Sequence, residues 1–244
     1  GTAVKIHHDH LTHSPKTRID MKGVHASAPY RVVAAAAGTV RFVVDRHSEK
    51  RPDGNPCNNN YVWIEHPNGE WTKYSHLVKD SASKVAGIAV GDQVQAGTFL
   101  GHEGDVGCAS GVHLHHEVMV PIDAGDPIDD AGFVKGGSAR NRIPKVCGVA
   151  DSRYVKGATV EATSLLPGAR EVAHHGVPAA KYQALFDRVT GCGYRVEWID
   201  GFAKGGDVFY NVLFRPNKAG HGWASFHGMS GAQYQQRFDD YVGE

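Results

Sequence analysis

The segment Gly111-Val112-His113-Leu114-His115-His116-Glu117 gathers residues that can do chemistry near neutral pH. In an extended strand, side chains two apart share a face. His113, His115 and Glu117 then stand on one side, with Leu114, His116 and Val118 on the other. Two imidazoles side by side suit zinc chemistry, since one can bind metal while its neighbour moves protons. The bland reading of the same pattern is a polar outward face. Histidine is abundant at 16 residues, and a second group (His7, His8, His10 and His13) lies near the start. A solvated loop and a ligand set are both open readings for that group.

Other chemistries fit less well. The helical zinc motif H-E-x-x-H is absent: His102-Glu103 is followed by Val106 and His116-Glu117 by Val120. Neither a G-x-S-x-G nucleophile elbow nor a phosphate-binding P-loop occurs. Cys57, Cys108, Cys147 and Cys192 form no C-x-x-C pair, so a zinc knuckle or redox motif is not indicated. In an exported protein they would form two disulfides. Nearness to the histidine-rich segment favours Cys57 with Cys108, leaving Cys147 with Cys192. That pairing is more economical than a cysteine nucleophile at Cys108. Acidic and basic residues balance at 26 each, which gives no reason to expect a nucleic-acid partner. No apolar run reaches the length of a membrane span, and the first residues do not read as a signal peptide.

The elements that must position these residues are mostly short strands. Thr17–Met21, Arg31–Ala36, Thr39–Val44, Tyr61–Glu65, Glu70–Leu77 and Val112–Val120 are each bounded by Gly, Pro, Asn or Asp. Asn68-Gly69 predicts a hairpin turn between two of them. The 30 glycines favour turns over long helices. Arg51–Asn60 and Pro121–Asn141 read as loops, the second as the boundary between a domain at 1–140 and another at 141–244. The second domain reads as α+β. Helical spacing predicts helices over Pro178–Val189 and Ser230–Val242, the latter opening with a Ser230/Gln233 capping box. Tyr194–Ile199 and Asp207–Phe214 read as strands. His175-Gly176, Tyr182-Gln183 and Phe186-Asp187 recur 52 residues later as His227-Gly228, Tyr234-Gln235 and Phe238-Asp239. Such a period marks a structural repeat, its aromatics serving as core.

Several motifs in order resemble the lysostaphin-type (LytM-like) zinc metallopeptidases. They are Ala34–Val40, the strand ending Tyr74-Ser75-His76-Leu77, the Val85–Gly101 segment with Gly91-Asp92-x-Val94, and His113-Leu114-His115. The resemblance covers residues 13–120. It implies a mainly β fold with an antiparallel sheet, and one catalytic zinc. His13, Asp20 and His115 would hold the metal, and His76 and His113 would act as uncoordinated catalytic groups. The family's first histidine stands four residues before the aspartate, where this chain has Lys16. The role is therefore carried to His13, with His10 as fallback and His25 as a competitor. By the same resemblance His116 takes the place of an aromatic core residue. Glu117 is expected to be structurally hydrogen-bonded or exposed, and His66 peripheral.

The activity implied is that of a zinc-dependent endopeptidase, secreted or periplasmic. Its substrate would be peptides of bacterial peptidoglycan or a Gly-rich protein. The C-terminal module is similar to tandem repeats appended to secreted bacterial hydrolases and would attach to wall or substrate. The alternative is a non-catalytic domain of the same fold that binds cell wall or a partner.

Overall fold

The computed structural model describes residues 3–24, 29–51, 57–121, 132–133, 140–147, 149, 154–161, 171–217 and 223–242. His25 lies outside these residues, as does most of the 121–141 loop. The chain divides into two compact units, Gly1–Thr163 and Ser164–Glu244. The boundary expected after residue 140 thus falls inside the first unit. Two later segments explain the shift by pairing back onto its sheet: β10 (Asn141–Arg142) onto β9 (Leu114–Met119), and β11 (Thr159–Glu161) onto β1 (Ala3–His8).

Among the described residues of the first unit, nine strands make one antiparallel sheet. Its order is β11-β1-β2-β9-β6-β5-β4-β7, with β10 also on β9. The remaining members are β2 (Ile19–Gly23), β4 (Gly38–Val44), β5 (Tyr61–Glu65), β6 (Trp71–Ser75) and β7 (Gln93–Val94). A separate pair joins β3 (Arg31–Val33) to β8 (Phe99–His102). The β5–β6 hairpin turns where Asn68-Gly69 predicts it. Gly69 sits at a φ of 81°, and His66 N–H donates to the Glu70 carbonyl. The first strand is the main surprise, since Ala3–His8 lies where sequence left a histidine-rich loop open.

Strand β9 is central, flanked by β2 and β6. Its alternation separates two environments. On one face Leu114 packs with Tyr74, Val62, Ile64, Val40, Val94 and Leu100 in a closed apolar cluster. On the other, Met119 joins Tyr61, Trp63 and Trp71 at one end, while His115 and Glu117 continue the face toward β2. Cross-strand partners on an antiparallel pair point the same way. The polar face is therefore read out as Met119–Trp71, Glu117–Lys73 and His115–Ser75.

The second unit holds a three-stranded antiparallel sheet of β12 (Val172–Pro178), β14 (Asp207–Pro216) and β13 (Tyr194–Lys204), in that order. Helix α1 (Ala179–Thr190) buries Tyr182, Leu185 and Val189 with Tyr210, Val212 and Phe214 of the sheet. Helix α2 (Gly231–Val242) begins with both halves of the expected capping box, Gln233 N–H donating to Ser230 Oγ and Ser230 N–H to Gln233 Oε1. Its aromatics differ from those of α1. Tyr234, Phe238 and Tyr241 are exposed, contrary to the core role expected for them. Their ring contacts are with neighbouring aromatics, Tyr234 with Phe238 and Tyr241 with Phe226, whereas Tyr182 of α1 meets Tyr210 of the sheet. Among the described residues, no helix is long and apolar enough to cross a membrane.

Candidate metal centre and active site

Five side chains singled out from sequence come together at one end of the polar face. Antiparallel pairing of β2 with β9 puts Asp20 opposite His115, with Asp20 Oδ1 3.0 Å from His115 Nδ1. His13 arrives from the loop between β1 and β2, its Nε2 3.4 Å from the same oxygen. Donor atoms of His13, Asp20 and His115 lie within 4.8 Å of one another. His113 Nε2 is 3.6 Å from Asp20 Oδ1. The His76 ring lies 4.7 Å from that of His113 and 5.7 Å from that of His115, centroid to centroid.

The loop carrying His13 is built by Asp9. Its Oδ1 accepts from the N–H groups of Leu11 and Thr12 and from the Thr12 hydroxyl, and its Oδ2 accepts from Lys156 N–H. Burial works against ionisation of Asp9, but the N–H groups of Lys156, Thr12 and Leu11 prevail and pull its pKa down to about 2. Thr17 N–H closes the loop on the His10 carbonyl. The extra residues between His13 and Asp20 loop out, leaving Lys16 exposed. His10 turns elsewhere, its ring edge-on to Tyr154 at 6.3 Å.

His76 ends β6 in the left-handed region at a φ of 65°, a conformation rare for residues other than glycine. Gly104 explains how the next turn fits: a Cβ there would sit 2.8 Å from the His76 carbonyl oxygen. The Gly104 carbonyl in turn accepts from His113 N–H at 3.0 Å. Gly104 thus serves close packing here, bringing the two catalytic candidates together. Cys57 and Cys108 are disulfide-bonded across 51 residues, joining the 57–60 segment to this same loop. None of the described cysteines is free.

Hydrogen bonds select the ring nitrogens. A carbonyl only accepts, so His76 Nδ1–H donates to Val106 O (2.8 Å) and His113 Nδ1–H to Gly111 O (2.7 Å). Each leaves Nε2 for other work. His13 Nδ1–H donates to Pro15 O at 2.8 Å, turning the Nε2 lone pair toward Asp20. His115 lies between two carboxylates, Nδ1 3.0 Å from Asp20 Oδ1 and Nε2 3.2 Å from Glu117 Oε1; with its proton on Nε2, the Nδ1 lone pair turns the same way. Two imidazole lone pairs and a carboxylate oxygen thus converge, an arrangement that a cation stabilises. Two neutral nitrogens and one anionic oxygen are also the donor set of many catalytic zinc sites. The residues fit the metal that the resemblance implies.

Electrostatics follow the same geometry. Burial disfavours the charged form of Asp20, yet the imidazoles of His113, His115 and His13 around it hold its carboxyl well below the usual range. Burial pushes His76 down to about 3, with the His115 and His113 charges adding to the shift, so its ring is neutral at pH 7. His113 is opposed by burial and raised by its contact with Asp20, with a net upward shift.

Sequence reading left His8 open and did not show the partners of Glu117. His8, at the end of β1, places Nδ1 3.0 Å from Asp20 Oδ2. Glu117 is buried to 1% exposure and fully engaged. Its Oε1 faces His115 Nε2 and Lys73 Nζ (3.4 Å), and its Oε2 accepts from Arg18 Nε (2.9 Å) and Asn141 Nδ2 (2.9 Å). Of the two roles expected for Glu117, structural hydrogen bonding is the one present. His116 is buried on the opposite face, its Nδ1–H donating to Lys73 O at 3.0 Å. His66 is also buried, bonded to Ala37 O and Thr72 Oγ1, so it is structural where a peripheral place was expected.

Residues 18–129 match the model of peptidase family M23, and residues 168–217 and 220–244 match a polyglycine hydrolase-like structural repeat. The two repeat matches begin 52 residues apart, the same offset as the internal repeat. Two peptidoglycan DD-endopeptidases of Vibrio cholerae are similar. ShyC is 38% identical over 86 residues (35% of this chain, 18% of its own length). ShyA is 38% identical over 72 residues (28% of this chain, 15% of its own length). The match thus spans less than a fifth of either relative. Lysostaphin from Staphylococcus simulans aligns over 93% of this chain and 84% of its own at 16% identity, with a TM-score of 0.36. Taken together, the motifs, the sheet and the family match make residues 18–129 similar to peptidase family M23, and residues 168–217 and 220–244 similar to a polyglycine hydrolase-like structural repeat.

Proposed function

We propose that the chain is a zinc-dependent endopeptidase, secreted or periplasmic, that hydrolyses peptide bonds in bacterial peptidoglycan cross-links or Gly-rich peptides. The observation that carries this reading is the convergence of His13, Asp20 and His115, with the Nε2 atoms of His76 and His113 left free beside them. Zinc held by these three residues would supply Lewis acidity that activates water and polarises the scissile carbonyl.

The chain's own groups do the rest. His113, nearest Asp20, is placed to take the proton of the attacking water at Nε2 and return it to the leaving amine. His76, kept neutral by burial, orients that water through its Nε2 lone pair. Their backbone bonds at Nδ1 keep both rings in the tautomer this needs. The substrate class follows the names of the similar endopeptidases, and the repeat's family description supports the Gly-rich alternative. The repeat unit would attach the enzyme to wall or substrate.

Metal analysis of the purified chain, with a release assay on peptidoglycan and on a polyglycine peptide, tests this reading. We expect about one zinc per chain and hydrolysis of one of the two substrates. A metal-free protein that stays inactive after zinc is added would favour a non-catalytic wall-binding domain instead.

A further inference from the structure

Glu117 belongs to neither the ligand set nor the pair of free imidazoles, yet four side chains converge on it. His115 reaches it from its own strand β9, Lys73 from β6, Asn141 from β10, and Arg18 from the residues leading into β2. Both carboxylate oxygens are used twice. Asn141 lies beyond the residues matched to the peptidase family, so the network draws on chain outside that match. Phe133 covers the cations, with Lys73 Nζ 3.5 Å and the Arg18 guanidinium 4.6 Å from its ring centroid.

Stability alone is a poor reason for such a cluster. Buried ion pairs often contribute no more than apolar residues of similar volume would. The same face shows the apolar solution one step along the strand, where Met119 meets Trp71. What the charged solution adds is direction. His115 lies between two carboxylates, and Glu117 at Nε2 gives its proton a place to sit that leaves Nδ1, 3.0 Å from Asp20, with a lone pair for metal. Lys73, Arg18 and Asn141 in turn hold the carboxylate so that it cannot swing into the metal site itself.

We propose that Glu117, braced by Arg18, Lys73 and Asn141, is the positioning residue that fixes the tautomer and orientation of His115 for metal binding. The inference rests on the zinc reading of the site, and its test separates the two. Groups that orient a ligating histidine in this way typically contribute 10- to 100-fold to metal affinity. Glu117→Gln keeps the shape but offers one acceptor oxygen where the carboxylate offers two. The amide can therefore serve the His115 side or the Arg18 side, not both.

Zinc affinity by chelator competition, and the His115 tautomer by long-range 1H–15N NMR on metal-free protein at high pH, are the readouts. In the unaltered chain we expect a single His115 tautomer with its proton on Nε2. In Glu117→Gln we expect a tautomer mixture and zinc binding weakened about 10- to 100-fold, with the fold checked by circular dichroism. A folded Glu117→Gln protein with unchanged tautomer and affinity overturns the proposal. So does a proton on Nδ1 in the unaltered chain, a result that needs no variant to fold. Failure of the unaltered chain to bind zinc, with the Nε2 tautomer present, would instead count against the zinc reading.

Discussion

His115 and His116 are neighbours in the chain, and the pleat of β9 sends them to opposite sides of one sheet. His115 lies among Asp20, His13 and Glu117, groups that are charged or able to bind a proton or metal. His116 lies against Tyr74, ring centroids 5.1 Å apart, with its Nδ1–H on the Lys73 carbonyl. Both are almost wholly buried, at 4% and 5% exposure. Burial therefore does not separate a ligand from a core histidine. What separates them is whether the ring nitrogens meet carboxylates that leave a lone pair aimed at a shared point, or a backbone carbonyl that satisfies one nitrogen within a packed layer.

The sharpest break in this comparison is to remove each ring in turn. His115→Ala should reduce bound zinc from about one per chain to a small fraction and abolish hydrolysis, because a three-ligand site does not survive on two. His116→Phe should keep both. Equal zinc loss in the two variants would erase the distinction between the faces. Next in size is the split within the polar face itself. His113→Ala should keep zinc yet slow turnover about 10²- to 10⁴-fold, the usual contribution of a proton-transfer group. Zinc loss in that variant would move His113 into the ligand set.

The apolar face makes its own demand, visible as pH dependence. Unfolded, His116 titrates near 6.5. In the folded sheet burial pushes it down to about 4, against the upward pull of its bond to Lys73. The folded state therefore binds fewer protons than the unfolded state between those values. Stability contributed by the neutral ring is present above pH 6.5 and lost as pH falls through 4, by about 3 kcal/mol in all. His116→Phe has nothing to protonate. Urea midpoints of the metal-free protein at pH 7 and pH 4.5 should therefore fall less in His116→Phe, by about 2 kcal/mol of stability. Parallel losses would mean that His116 is not the group being titrated. Other histidines, His76 among them, are common to both proteins and cancel in the difference.

Much of this was legible in the chain because it rests on local pattern. Alternation alone put His113, His115 and Glu117 on one face, and Asn68-Gly69 marked its hairpin. Tyr61–Glu65 has the same bounds as β5. What was not legible depends on residues far apart. Lys73 and Glu117 meet only because β6 pairs with β9, and Asn141 only because β10 does. Neither registers in a local window. β1 was obscured by its own histidines, although Val4, Ile6 and His8 alternate as a strand should. The repeat shows the converse limit. Tyr182 and Tyr234 share a motif, yet one is fully buried and the other 58% exposed, since burial is set by tertiary neighbours such as Tyr210, which meets Tyr182.

The smallest effect concerns Tyr74, which shares the Tyr-x-His-Leu segment with His76 but faces the other way. Its hydroxyl accepts from Ala35 N–H at 2.8 Å and from Thr72 Oγ1 at 3.2 Å, and Thr72 Oγ1 lies 2.8 Å from His66 Nε2. This chain of bonds stitches β6 to the residues before β4, inside the apolar layer. Tyr74→Phe keeps the ring and removes the acceptor, so it should lower stability by about 1 kcal/mol, the typical net contribution of such a bond. Because the hydroxyl lies across the sheet from Asp20, zinc affinity and turnover should stay as they were. Urea unfolding beside chelator competition on the same preparation measures both. If zinc binding weakened with stability, the two faces would be coupled through β6, and the position of His76 would depend on the apolar layer behind it.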